Sequence, residues 1–151
     1  MFGFQLAAVE FSRNVMGLEG ANSIELNPKS PHPVIDLLPE QKKIKQMGGT
    51  MRLGSIPVEI REGTLAASVY GTLKIEERHR HRFEVNPGYI EEFEKQGVTF
   101  SARSDGGRRM EILEIPSHKH FVATQFHPEF KSHPQHPSPI FLSFIKAALQ
   151  K

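Results

Sequence analysis

The sequence predicts one mixed α/β domain, and three observations predict it. Apolar residues at helical spacing open the chain. Two later helices have capped starts. Segments of alternating polarity flank an Asp-Gly turn. At the front, Phe4, Ala7, Ala8, Phe11, Val15 and Leu18 recur every three to four residues. This spacing predicts a helix near residues 4–16, stopped by Gly17 and Gly20. Leu6 and Val9 put apolar side chains on its other faces, so the helix expects cover on more than one side. A domain rarely begins inside its own core, so the sheet expects strands upstream of those present.

Residues 19–47 are polar and irregular, with Pro28, Pro31, Pro33 and Pro39. Only Val34-Ile35-Asp36 reads as a short strand, and Glu40 to Lys45 reads as a solvated loop. A loop this long is often functional. After Gly48-Gly49, strands are expected at Thr50–Leu53 and Ile56–Ile60, separated by Gly54-Ser55. Asn86-Pro87 opens a helix with Asn as cap and Pro at the first helical position; Tyr89, Ile90 and Phe93 give its stripe and Gly97 its end. Val98–Ala102 and Arg109–Ile115 read as a hairpin around Ser104-Asp105-Gly106-Gly107, followed by a strand at Phe121–Gln125. Ser138-Pro139 opens the last helix, with Phe141, Phe144, Ile145 and Ala148 as its expected core stripe.

Composition sets outer limits. The 151 residues suit one domain with a real core. Hydrophobic content of 38% and charged content of 24% describe a globular chain rather than a disordered one. No stretch reaches the roughly 20 apolar residues of a membrane span, and no signal peptide is visible. The absence of cysteine excludes disulfides and thiolate metal sites. These features fit a cytoplasmic protein. The net charge of +2 says little about partners.

The run Thr124-Gln125-Phe126-His127-Pro128-Glu129-Phe130 carries the chemistry. In an extended segment, side chains two apart point the same way. His127 and Glu129 are therefore expected to share a side, where a carboxylate can fix an imidazole's tautomer and stabilise its protonated form. A base that serves a nucleophile needs that support. The bland alternative is a solvated strand end.

Further runs must be explained together: Phe4-Gln5-Leu6-Ala7, Ala21-Asn22-Ser23-Ile24-Glu25, Gly48-Gly49-Thr50-Met51-Arg52-Leu53-Gly54 and Glu77-Arg78-His79-Arg80-His81-Arg82-Phe83-Glu84-Val85-Asn86-Pro87. With the His-Pro-Glu run, and in this order, they resemble the C-terminal class I glutamine amidotransferase domain of CTP synthase, over essentially residues 1–151. The resemblance implies a three-layer, flavodoxin-like α/β amidotransferase fold lacking its N-terminal strands. It implies glutamine hydrolysis through a cysteine thiolate, with ammonia passed to an ATP- and Mg-dependent synthetase domain that aminates UTP to CTP. It gives His127 and Glu129 the roles of proton shuttle and orienter. It assigns Phe2, Gln5, Glu25 and Arg82 to the glutamine pocket. Arg82 suits the α-carboxylate and Glu25 the α-ammonium group.

The family's cysteine position falls on Met1, followed by Phe2-Gly3-Phe4-Gln5. A thioether cannot become a thiolate, so this chain alone is expected to be inactive. The strand before the nucleophile and one oxyanion-hole turn also lie upstream, which makes this a partial domain. A truncated form explains Met1 best; a non-catalytic relative that keeps a glutamine pocket or binds a synthetase partner is the alternative. The isolated chain is then expected to be marginally stable.

Two other readings of the basic and histidine-rich runs are weaker. Arg78 to Arg82 could form a nucleic-acid patch, but Glu76, Glu77 and Glu84 flank it, and a strand would split arginines from histidines. No nucleic-acid partner is expected. The eight histidines show no recognisable ligand spacing, so no metal site is expected; His118, His120, His133 and His136 read as solvated loop residues.

Overall fold

A computed structural model of the chain describes residues 2–42 and 51–150. Helix α1 spans Phe2–Asn14. Strands β1 (Asn22–Ser23) and β2 (Pro33–Asp36) follow, then the short helix α2 (Pro39–Lys42). Strand β3 (Arg52–Ile60), helix α3 (Leu65–Tyr70), β4 (Lys74–His81) and β5 (Glu84–Val85) form the middle. Helix α4 (Pro87–Lys95), β6 (Thr99–Ser104), β7 (Arg109–Glu114), β8 (Val122–Thr124) and α5 (Pro139–Leu149) complete it.

The described strands form two sheets, β1-β2-β5 and β4-β3-β6-β7-β8. Among the described strands, only β1 and β2 pair in parallel. Strand β7 lies between two apolar clusters. Met110 and Leu113 join Phe4, Phe11, Ile35, Phe93 and Phe100 on one side; Ile112 joins Val58, Ala102 and Phe126 on the other. Because both faces of β7 are buried, its two glutamates must find partners inside. Glu114 does so by accepting the Leu65 and Ala66 amide N–H groups at the start of α3.

The expected hairpin and the Asn86-capped helix are present. Asn86 Oδ1 accepts from the Gly88 N–H, and its amide Nδ2 donates to the Pro33 carbonyl 2.9 Å away, tying α4 to β2. Four expectations change. First, Gly54-Ser55 does not interrupt the strand: β3 pairs continuously with β4, and Gly54 at φ +92° absorbs the twist that would strain any side chain. Second, the segment from Glu40 opens as α2, with Gln41 buried; residues 43–50, which include the rest of that expected loop, Gly48-Gly49 and Thr50, lie outside the described residues. Third, α3 and β1 are additional elements. Thr64 caps α3 and Gly71 closes it in the left-handed conformation.

Fourth, the expected core stripe of α5 faces outward. Ile140 is buried, but Phe141, Phe144 and Ile145 are 41%, 58% and 52% exposed. The inward positions are Ile140, Ser143 and Ala147, and the small side chains of Ser143 and Ala147 let α5 approach α3. Helix α1 likewise buries one face, through Phe4, Ala8, Val9 and Phe11, and leaves Phe2 and Leu6 exposed.

Candidate functional site

After β8, Gln125 and Phe126 are fully buried, which fixes the register of the next residue. The His127 N–H then donates to the Arg78 carbonyl at 2.9 Å. Pro128 starts a single 3-10 turn, Pro128–Lys131, that immediately reverses the chain. His127 and Glu129 therefore meet across a turn, not by alternation along a strand as the sequence spacing suggests. His127 Nδ1 lies 2.6 Å from Glu129 Oε1, and the imidazole stacks on Phe130 with ring centroids 4.9 Å apart. Partial burial pushes the Glu129 carboxyl up. The His127 hydrogen bond and the backbone N–H of the turn outweigh it and hold the group below the usual carboxylate range. An ionised carboxylate only accepts, so Nδ1 carries a hydrogen, and in the neutral ring Nε2 is the acceptor. That Nε2 is buried with no hydrogen-bond partner among the described residues.

His127 opens onto a cavity of about 350 Å³. Gln5, Glu25, Arg82 and His127 line it together, from four separate segments, with Met51, His81 and Phe83 among the remaining walls. Four of the residues singled out in the sequence are thus brought to one place. Glu129 supports His127 from behind. Phe2 is not among the lining residues: it begins α1 and is 44% exposed. Met1 lies outside the described residues. A larger cleft of about 580 Å³ runs along α3 and α5, but its histidine, His120, is paired to Ser143 at 2.7 Å, and no carboxylate is among the described lining residues.

Local order at the cavity comes from side-chain amides. The corner between β4 and β5 carries Arg82 and Phe83. The Phe83 carbonyl accepts from Gln125 Nε2 at 2.8 Å and Gln5 Nε2 at 3.4 Å; the Arg82 carbonyl accepts from Gln41 Nε2 at 2.9 Å. Gln5, assigned to the pocket by the family resemblance, therefore spends its nitrogen on the wall and keeps Oε1 without a partner among the described residues. Glu25 sits in the turn after β1, its own N–H donating to Ser23 Oγ at 3.2 Å.

Behind this corner lies an ion network that sequence reasoning missed. Strand β4 alternates as expected, with Arg78 and Arg80 outside and His79 and His81 inside. The inward rings meet two buried carboxylates: His79 Nε2 lies 2.8 Å from Glu111 and His81 Nε2 3.0 Å from Glu84. Arg52 bridges Glu84 at 3.2 Å and Glu111 at 2.7 Å, and Arg109 reaches Glu84 at 2.9 Å. Ser104 donates to Glu111 and accepts from Arg52. Burial pushes the Glu111 carboxyl up, but His79, Arg52 and Ser104 reverse this and hold it at about 2. Glu84 is likewise held low: His81 and Arg52 overcome its burial. The available signal was glutamate at inward positions of a doubly buried strand, which demands cationic partners.

Among the described residues no group of three or more His, Asp or Glu side chains could hold a metal ion. Nor is any described helix long and apolar enough to cross a membrane.

Residues 2–147 match the class-I glutamine amidotransferase family model. The chain belongs to that family. It is 65% identical over 149 residues to a CTP synthase of Archaeoglobus fulgidus and 58% identical over 151 residues to one of Thermococcus kodakarensis. In both cases 99% of this chain matches 28% of the relative, so the chain spans about 28% of the length of these curated relatives. Among solved structures it is similar to a Trypanosoma brucei CTP synthase glutaminase domain with bound acivicin. The TM-score is 0.91 at 43% identity, covering 99% of this chain and 58% of that one. The family fold is therefore that of an amidotransferase, and the cavity under His127 is its candidate active site.

Proposed function

We propose that this chain is the glutaminase portion of a CTP synthase, and that its cavity binds L-glutamine. The observation that carries the reading is the convergence of Arg82, Glu25 and Gln5 on a cavity walled by His127, whose Nδ1 is held by Glu129. Arg82 takes the α-carboxylate by parallel hydrogen bonds and Glu25 the α-ammonium group. The substrate carboxamide then faces the Nε2 lone pair of His127.

In hydrolysis, a thiolate attacks the carboxamide carbon and a thioester forms. The C–N bond breaks as His127, in its protonated form, gives Nε2–H to the departing nitrogen. Glu129 stabilises that imidazolium and fixes the ring. Water activated by the neutral ring then frees glutamate. The residue at the nucleophile position here is Met1, whose thioether supplies no thiolate. This chain therefore binds glutamine without hydrolysing it. Amination of UTP, with the ATP and Mg it requires, belongs to a synthetase partner.

Isothermal titration with L-glutamine tests the reading. Saturable binding is expected for the wild-type chain and not for Arg82→Ala, with no ammonia released by either. An absence of binding to the wild-type chain overturns it.

A further inference from the structure

We propose that His81 is a further substrate-binding residue, whose Nδ1 lone pair accepts a hydrogen bond from an N–H group of the bound glutamine. The inference rests on the glutamine-binding reading above and deepens it.

His81 lines the cavity beside Gln5, Arg82 and His127. The residue is only 2% exposed, and its Nδ1 is buried with no hydrogen-bond partner among the described residues. Its other nitrogen is committed: Nε2 lies 3.0 Å from Glu84 Oε1. Glu84 also receives Arg52 at 3.2 Å and Arg109 at 2.9 Å, so it is an ionised acceptor and Nε2 carries the hydrogen. Glu84 and Glu111 meet two guanidiniums, Arg52 and Arg109, the second of which also contacts Asp105 and Glu40. A neutral ring with Nε2–H has a bare lone pair at Nδ1.

A buried acceptor without a donor is costly, so such atoms persist where a ligand or water satisfies them. Three of them belong to residues that line this one cavity: Gln5 Oε1, His81 Nδ1 and His127 Nε2. With both rings neutral all three are acceptors, because Gln5 donates through Nε2 to Phe83 and His127 donates through Nδ1 to Glu129. Glutamine is complementary: its ammonium and carboxamide groups bring N–H donors, while its single carboxylate has Arg82. The His81 ring thus joins the buried network to the ligand, one nitrogen on each.

Isosteres separate the two nitrogens. In His81→Gln the side-chain amide nitrogen falls where Nε2 was, keeping the Glu84 contact and losing the cavity acceptor. In His81→Asn the amide oxygen falls where Nδ1 was, keeping the cavity acceptor and losing Glu84. Titration calorimetry of the chain with L-glutamine, alongside thermal melts, reads both. His81→Gln is expected to melt near wild type and bind about tenfold more weakly, the value of one good hydrogen bond. His81→Asn is expected to melt lower and bind within about threefold of wild type. Equal affinity of His81→Gln and wild type overturns the assignment, as does equal weakening in both variants. Absence of wild-type binding overturns the glutamine reading and this inference with it. Repeating the titration with glutaramate, which is glutamine without its ammonium group, locates the donor: weakening that persists places it on the carboxamide, weakening that vanishes on the ammonium.

Discussion

His127 Nδ1 lies 2.6 Å from Glu129 Oε1, and the side-chain contact is made across one turn of 3-10 helix rather than along a strand. The carboxylate favours the Nδ1–H tautomer of the neutral ring. In Glu129→Ala that selection disappears. The ring nitrogen shifts of His127 in ¹⁵N spectra are expected to move from the Nδ1–H pattern toward Nε2–H. An unchanged pattern would mean that the stacking on Phe130 alone sets the ring state.

The buried network makes a sharper energetic prediction. Glu111 is fully buried, and Glu111→Gln removes the charge that Arg52 and His79 oppose. Breaking one partner of a buried pair costs about 3–5 kcal/mol. Urea unfolding of the variant should show a loss of that order; a loss under about 1 kcal/mol would contradict the network's role.

The same group sets an acid limit. Its carboxyl is depressed in the folded chain from the ordinary 4.5 to about 2. A depressed carboxyl contributes stability above its unfolded value and loses it as pH falls toward its folded one. Roughly 3 kcal/mol should therefore vanish between about pH 4.5 and pH 2. Thermal melts across this range should fall steeply for wild type and more gently for Glu111→Gln.

Asn86 holds α4 at two points, through Gly88 and Pro33. Loss of a cap and one cross-element hydrogen bond in Asn86→Ala should cost about 1–2 kcal/mol. Glutamine binding should survive, since Asn86 does not line the cavity.

The outward face of α5 carries Phe141, Phe144, Ile145 and Leu149. Contiguous exposed apolar residues promote association. Phe144→Lys with Ile145→Lys should lower light scattering and the binding of a hydrophobic dye without lowering the melting temperature. A drop in melting temperature would place these side chains inside the folded chain.

Legibility in the sequence followed how local the cause was. Asn86-Pro87 and Asp105-Gly106 act within a few residues, so the helix and the hairpin could be read directly. The His127–Glu129 pair was visible as His-x-Glu, yet its geometry was not. Pro128 turns the chain at that point, and the tight contact depends on it. Glu25, Gln5 and Arg82 gave no local sign of proximity; only their likeness to a family placed them in one pocket, and the fold brings them there. The Arg52–Glu84–Glu111 network could not be read because it joins residues 59 positions apart. The outward turn of α5 was hidden for a related reason: periodicity finds an apolar face but not what lies against it, and Ser143 and Ala147 fit closer to α3 than the phenylalanines do.

The central claim is that the cavity under His127 is built for an amino-acid amide. A crystal structure of the chain grown with L-glutamine tests it most directly. The predicted result has the carboxylate on Arg82, the ammonium group near Glu25 and the carboxamide against Nε2 of His127. Glutamine bound elsewhere, or bound here in the reverse sense with its carboxamide on Arg82, would contradict it.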